Sequence, residues 1–516
     1  MAEEFTLGID LGTTRSAMAH VASGEVQMLN NSEGKDITPS VVHLTEDGEA
    51  VVGDDAVNSM LMQPGRTIRE VKKLMGENTT VTLGEEEFTP QDISGIILQK
   101  LVENAADRLG GEVTNAVITV PAYFTDRERT ATREAGELAN LTVDRLLPEP
   151  SAAVLAYGYK EQQLGEVKNE TIFVYDLGGG TFDATLVEAE YEFNYIETVA
   201  TDGDSDLGGS NWTDALVQYA YDVIEEDTGV DVSEAEEHAE QRRRIWEQSQ
   251  EVKHRLSSQN AVSMTVPFVV PEKSYNLDEE ITREQFEEMT EELLERTTEP
   301  MDSIFDRTDY DVENVDKVLL IGGSTRMPQV EKLVTDYFGM DPSKEISPDH
   351  AVAQGAAIQA AVLDDSVESS GLTGADDEDD SASGIALIDA LSQSIGVKVQ
   401  PGDRFDPIVE RDTSLPATER KEGYSVRDED QTTVEIQVYQ GESELADENE
   451  FLGRAVMEDI PKRKPGQQSL AIEFTVNNDG TLEVRGEDLM SDAEIVAEIE
   501  SALQSSDENS ELPPSA

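Results

Sequence analysis

Two hydrophobic periodicities divide the chain. Through residue 363, short β-branched runs alternate with helical segments, the pattern of an α/β domain. From about residue 390 the period becomes two. Val434, Ile436 and Val438 alternate with Glu435 and Gln437, and Leu470, Ile472, Phe474 and Val476 form a second such run. Asn477-Asn478-Asp479-Gly480 separates that run from Leu482 and Val484, a hairpin signature. These residues predict a small antiparallel β domain over 390–487 with one buried face. Residues 364–384, with Asp376-Asp377-Glu378-Asp379-Asp380, lack apolar periodicity and read as an acidic flexible connector. Ile385-Ala386-Leu387-Ile388-Asp389 follows at once, and the residues alone leave a docking linker and a first strand equally open. Residues 488–516 predict one short helix, over 492–503, and a frayed polar end at 505–516.

Charge changes that picture. The 516 residues hold 110 acidic and 38 basic side chains, a formal charge of −72, which argues against binding nucleic acid or anionic membrane through bulk charge. A compact chain so charged repels itself in dilute buffer, whereas molar salt shrinks the Debye length to about 3 Å. The acids are spread along the whole chain, so the composition points to a halophilic protein in a high-salt cytosol; ordinary acidic solubility is the plain alternative. There is no cysteine, hence no disulfide or thiol-ligated metal. No apolar run of membrane-spanning length occurs, and the acidic start, Met1-Ala2-Glu3-Glu4-Phe5, lacks a signal-peptide order. A cytoplasmic protein with no membrane and no nucleic-acid partner is expected.

The strongest local signal occurs twice. Thr6 to Thr14 (TLGIDLGTT) and Ile172 to Thr181 (IFVYDLGGGT) each read strand, Asp, glycine- and threonine-rich turn, and each runs into a second strand. Glycines let the backbone approach an anion and aim N–H groups at it, and the threonine hydroxyls add donors. Asp10 and Asp176 at the strand ends suit Mg²⁺ met through its waters, since that ion dehydrates reluctantly. One glycine hairpin is usually just a turn; two with the same Asp placement suit a polyphosphate clamped from both sides. A P-loop and a dinucleotide fingerprint are both missing. A third turn, Gly322-Gly323-Ser324, follows the apolar run Val318 to Ile321 and suits the face or α-phosphate of a purine nucleotide.

Together these segments resemble the DnaK-type, seventy-kilodalton heat-shock chaperones. The motifs are GIDLGTT at 8–14, VPAYF at 120–124, EPSAAVLAYG at 149–158, DLGGGTFD at 176–183, GGSTRMP at 322–328 and VEIQVYQGE at 434–442. The resemblance implies an actin-like, duplicated ribonuclease-H-like ATPase domain over 1–363 and an interdomain linker at 385–389. A peptide-binding β-sandwich over 390–487 would follow. It implies an ATP-dependent chaperone, with stress-response character, whose affinity for extended apolar polypeptide is switched by ATP hydrolysis.

ATP or ADP, Mg²⁺ and K⁺ are the implied cofactors. A J-domain co-chaperone and a nucleotide-exchange factor are implied partners of an expected monomer. The implied catalytic set is Lys72, Glu149, Asp183, Thr181, Asp10 and Asp176, although Lys72 alone reads as one of two solvated helix lysines. Nucleotide contacts fall on Gly12, Thr13, Thr14, Gly178, Gly179, Gly180, Thr181, Gly208, Gly209, Lys253, Ser257, Gly322, Gly323, Ser324, Arg326 and Asp349. Val397, Val399, Tyr424, Val426, Val434 and Ile436 align with the peptide cleft. Pro121, Arg129, Leu387, Ile388 and Asp389 align with the coupling positions.

The chain also departs from the resemblance. Gln250 and His254 stand where the nucleotide clamp is usually acidic and arginine, which weakens adenine stacking, and Arg15 stands where a small, polar or aromatic residue is usual. About thirty residues follow Gly486, too few for a helical lid, so fast peptide release is expected. Two rival functions stay open on the sequence: an actin-fold small-molecule kinase and a nucleotide-binding sensor without turnover.

Overall fold

The computed structural model describes residues 4–60, 63–164, 168–191, 195–233, 238–364, 386–462, 464, 467, 469–491, 494–498, 500–501 and 512–515. The 365–385 stretch, and with it Ile385 and nearly all of the acidic connector, lies outside the described residues.

Both aspartate motifs fold as hairpins, and each sits in the middle of a mixed sheet. In the first, Glu4–Asp10 pairs antiparallel with Arg15–Ala22 and parallel with Glu112–Val120, which pairs parallel with Thr142–Pro148. In the second, Glu170–Leu177 pairs antiparallel with Phe182–Glu190 and parallel with Lys317–Ile321. The same polarity in both copies carries Asp10 and Asp176 to equivalent strand ends. Each sheet has its own core, around Leu7, Ile93 and Ile118 in one lobe and Phe173, Trp212 and Leu216 in the other.

Two helices rich in small residues, Glu149–Leu164 and Ala351–Leu363, join the lobes. Their approach is close enough to dictate sequence. A Cβ at Gly355 would lie 1.8 Å from the Ala152 carbonyl oxygen, and one at Gly8 would lie 1.9 Å from the Ala357 amide nitrogen. Only glycine fits at either place.

Beyond residue 389 two antiparallel sheets pack around Ile395, Val438, Phe474 and Val484. Ala386–Ile388 settles the question that the sequence left open: it is a strand, yet it belongs to the second lobe, paired parallel to Tyr195–Asp204. The short helix expected over 492–503 is not what forms among the described residues there. Glu494–Glu498 pairs with Leu482–Asp488, and Glu500–Ser501 pairs with Glu450–Met457. Sheet pairing overrides the helical preference of Ala and Glu. At the expected frayed end, residues 512–515 instead lie on the first lobe. Leu512 packs against its core, and the Ala50 N–H donates to the Pro514 carbonyl at 2.9 Å. No described helix is long and apolar enough to cross a membrane.

Candidate functional site

The two hairpin tips face each other across a cleft of about 580 Å³. Their approach explains the second glycine run: a Cβ at Gly179 would lie 2.4 Å from the Thr14 methyl carbon, and one at Gly180 would lie 2.8 Å from that of Thr13. Of the residues singled out from sequence, Asp10, Gly12, Thr13, Thr14, Lys72, Glu149, Asp176, Gly178, Gly179, Thr181 and Gly209 line the cleft. So do Lys253, Ser257, Gly322, Gly323, Ser324, Arg326 and Asp349. Gly180, Gly208 and Asp183 do not. Gly180 sits under Thr13 on one side and Gly208 on the other, since a Cβ at Gly208 would fall 2.4 Å from the Gly180 nitrogen. Asp183 is buried, where its Oδ1 accepts the Tyr123 N–H at 3.0 Å.

Lys72 is only 5% exposed, on a short 3-10 turn from Val71 to Leu74 that follows Glu70. Its Nζ lies 2.8 Å from Glu149 Oε1. Glu149 opens one of the joining helices, so this pair ties the first lobe to the layer between the lobes.

Four carboxylates crowd this floor. Burial first, and then the Glu149 charge, push Asp10 up to about 7 and Asp183 up to about 7. The same two causes, followed by Asp183 and Asp10, hold Asp176 well above the ordinary carboxylate range. Asp176 Oδ2 is buried with no hydrogen-bond partner. The cluster is short of positive charge, and a divalent cation would supply it. Among the described residues no three acidic or histidine side chains converge as a direct ligand set, so such an ion fits here through its waters.

The opposite end of the cleft is held by backbone. Ser324 Oγ donates to the Gly178 carbonyl at 2.7 Å, and Lys253 Nζ donates to the Gly209 carbonyl at 2.5 Å. Burial and the Arg15 charge bring Lys253 down to about 8. His254 falls to about 4, through burial, Lys253 and Arg15, and is neutral at pH 7. Two contacts across the cleft mouth escaped the sequence reading. The Arg69 guanidinium lies 3.3 Å from the Trp246 ring centroid, and Ser210 Oγ donates to Glu70 Oε1 at 2.9 Å.

The β domain docks beside this site. The helix Asp126–Leu138 begins with a reciprocal cap, the Glu128 carboxylate accepting the Thr125 N–H at 2.7 Å, which fixes where its first turn lies. That turn meets the β domain. The Leu482 N–H donates to Asp126 Oδ1 at 3.0 Å, the Asp126 N–H donates to Gln440 Oε1 at 3.1 Å, and Arg129 Nη1 donates to the Asp479 carbonyl at 3.1 Å. Arg133 pairs with the Asp479 carboxylate. On the second lobe Asp202 binds Arg307 and Arg411 at 3.1 and 3.0 Å.

Asp389 closes the junction, accepting from Ser151 Oγ at 2.6 Å and from Arg145 at 3.0 Å. Pro121, Leu387 and Ile388 lie in the same region, Pro121 through a turn whose carbonyl receives the Phe124 N–H and Leu387 inside the core layer between the lobes. Asp126, Arg133 and Arg145 gave no signal in the sequence, and Ser151 and Gln440 lie in quoted motifs that did not single them out, because each acts through a partner hundreds of residues away.

The six residues aligned with a peptide cleft separate here. Val397, Val426 and Ile436 are buried in the β-domain cores and offer no surface in this arrangement. Val399, Tyr424 and Val434 are half-buried, and the last two bridge the two small cores. The Tyr424 hydroxyl donates to Asp406 Oδ2 at 2.7 Å.

Comparison with known proteins agrees with the motifs. The Hsp70 protein family model matches residues 6–512. A protein named chaperone protein DnaK from Halobacterium salinarum is 40% identical over 491 residues, 95% of this chain and 74% of its own. Proteins of that name from Thermotoga petrophila and Thermosipho africanus are 40% and 36% identical, over 96% and 94% of this chain and 80% and 78% of theirs.

Proposed function

The chain belongs to the Hsp70 family, an ATPase and ATP-dependent chaperone, and from that premise we propose how its own residues divide the work. The matching hairpins and sheets support a duplicated actin-like ATPase domain over residues 1–363, followed by a β-sandwich, which would take extended apolar polypeptide. The small-molecule kinase and the silent sensor are set aside.

ATP would lie between the hairpin tips. The threonine hydroxyls of Thr13, Thr14 and Thr181 and the backbone of Gly12, Gly178 and Gly179 would receive its phosphates. Gly209, Lys253, Ser257, Gly322, Gly323 and Ser324 would face the nucleoside end, where the Arg326–Asp349 ion pair sits. Asp10 and Asp176 would hold Mg²⁺ through water, with K⁺ in the same acidic group; the ion's chemistry is to neutralise charge on the transferring phosphoryl group. Lys72, clamped by Glu149, would orient the attacking water, and Asp183 would hold the loop at Tyr123 rather than touch the nucleotide. Phosphoryl transfer needs positioning and electrostatic stabilisation more than covalent chemistry, and this floor supplies both. The carrying observation is the buried Lys72–Glu149 pair set between two facing aspartate hairpins.

Apolar polypeptide would add to the β domain by main-chain hydrogen bonds, with Val399, Tyr424 and Val434 giving the apolar contact. Coupling would run through Arg129, Pro121 and the Leu387-Ile388-Asp389 segment. We assign a J-domain protein and an exchange factor as partners, a monomeric state, and a high-salt cytoplasm as its setting.

Single-turnover ATP hydrolysis in molar KCl with Mg²⁺, with and without an unfolded apolar peptide, tests this reading. Slow hydrolysis that peptide accelerates and that Lys72→Ala abolishes supports it. Hydrolysis indifferent to both overturns the roles given to Lys72 and to the β domain.

A further inference from the structure

Arg15 is a cation with no carboxylate partner among the described residues, in a chain where acids outnumber bases 110 to 38. It opens the second strand of the first hairpin, directly after Thr13 and Thr14, and its side chain lines the cleft. The guanidinium reaches across the mouth. A Cβ built on Gly323 of the opposite lobe would lie 3.8 Å from Arg15 Nη1.

Two more basic side chains share that end of the cleft, Lys253 and His254, and both feel the Arg15 charge. His254 is neutral at pH 7 and Arg326 is paired with Asp349, which leaves Arg15 and Lys253 as the cations there with no carboxylate at ion-pair distance among the described residues. Lys253 already donates to the Gly209 carbonyl and has no carboxylate within ion-pair distance among the described residues. Glu70 and Asp214 offset part of the Lys253 charge and Asp349 is engaged by Arg326, so the two cations still repel each other, and an anion lying between them would relieve that repulsion. The anion that enters this cleft carries its negative charge on its phosphates.

We propose that Arg15 is a nucleotide-binding residue, its guanidinium holding the phosphate nearest the nucleoside from the first-lobe side while Lys253 faces it from the second. The inference rests on the cleft being the nucleotide site. Arg15 thus acts as a strap over the diphosphate, joining the hairpin tip to the Gly322-Gly323 turn, and has no part in cleaving the γ-phosphate.

The test is binding of ADP and of adenosine, measured by calorimetry in molar KCl, on the unaltered chain, Arg15→Ala and Arg15→Lys. Charge-assisted contacts of this kind predict that Arg15→Ala weakens ADP about tenfold or more. Adenosine should stay within about twofold, and Arg15→Lys should recover part of the ADP affinity, because it keeps the charge and loses the fork. Unchanged ADP affinity overturns the proposal, and so does an equal loss for ADP and adenosine, which would place the side chain on the base. If the unaltered chain itself bound no ADP, the assignment of the cleft would fall first, so the two failures are distinguishable.

Discussion

Arg129 Nη1 donates to the Asp479 carbonyl of the β domain at 3.1 Å, while its Nε and Nη2 hold the Phe124 and Ala122 carbonyls at 3.0 and 3.2 Å. The Phe124 ring in turn lies 5.4 Å from Lys72 Nζ. One side chain therefore ties a β-domain turn to the loop beside the lysine of the cleft. Removing it breaks three hydrogen bonds in a buried setting, each worth about 1–3 kcal/mol when a partner is left unsatisfied. Arg129→Ala is expected to keep ADP binding and to cut peptide acceleration of ATP hydrolysis to below about twofold, at a cost of about 3 kcal/mol or more in stability. Single-turnover hydrolysis with and without peptide reads it. Full acceleration in the variant would show that the contact is structural only.

Proton uptake should accompany docking at Asp126. Its carboxylate is raised to about 6, first by burial, with Glu450 adding to the rise and the Leu482 N–H and Arg129 opposing it. An acid whose pKa is higher when docked keeps its proton longer in that form. Docking is therefore favoured as pH falls from about 7 toward about 4, and this contribution is absent above pH 7. The chain has no cysteine, so one introduced in each unit allows labelling for energy transfer between them. Transfer should rise on acidification, and Asp126→Asn should flatten the profile. A flat profile in the unaltered chain would remove Asp126 from the coupling.

Backbone contact, not conformation, makes Gly8 irreplaceable. Its Cβ would sit 1.9 Å from the Ala357 nitrogen, against a helix that cannot shift without parting the lobes. Gly8→Ala should cost about 3 kcal/mol or more and abolish nucleotide binding. Gly229 makes the opposite control, with φ +68° and nothing within 4 Å of its Cβ. Gly229→Ala should cost only about 1–2 kcal/mol, the strain of a left-handed alanine. Thermal melts of the two variants rank them, and equal costs would refute the packing account.

Much of this was legible in the sequence, and the remainder has a common cause. The twin hairpins are written locally, in the Asp placement and the glycine runs, so the motifs alone set Asp10, Thr13, Thr14 and Gly179 around one cavity. Asp183 and Gly180 belong to the same motif, yet neither lines the cavity: Asp183, paired directly with Asp176 across the hairpin, turns its Oδ1 to the Tyr123 N–H, and Gly180, in the turn, is covered by Thr13 and Gly208. Residues 494–498 have helix formers but meet an unpaired strand edge, and pairing decides. Ser151 and Asp389 are 238 positions apart, and no local pattern marks either as the other's partner.

Residues 512–515 make a contact that is small and separable. Leu512 Cδ1 would lie 3.2 Å from a Cβ at Gly95, on the helix Pro90–Leu109, whose Ser94 hydroxyl donates to Met75 Sδ at 3.4 Å. Met75 directly follows the turn that carries Lys72. Leu512→Asp removes a partly buried apolar side chain and should cost about 1–2 kcal/mol. The first-lobe melting midpoint should fall by about 2–4 °C, as calorimetry would show. No change would mean that Leu512 adds nothing to the lobe's stability.

Salt determines how much of the −72 charge the fold feels. Even with every base paired one to one, 110 − 38 = 72 carboxylates have no cationic partner. Exposed pairs such as Lys344–Glu331 add little to stability and weaken in salt. Their loss is small beside the repulsion that salt removes, because every unpartnered carboxylate interacts with all of its neighbours within a Debye length. That length falls from about 10 Å at 0.1 M to about 3 Å at 1 M. Raising KCl from 0.1 to 2 M should therefore lift the melting midpoint by about 10 °C or more. A second chain with ten exposed acids changed to their amides should need less salt for the same midpoint. A midpoint that stayed level or fell with KCl would mean that the acids serve solubility alone, and that a high-salt cytosol is not required to hold the fold.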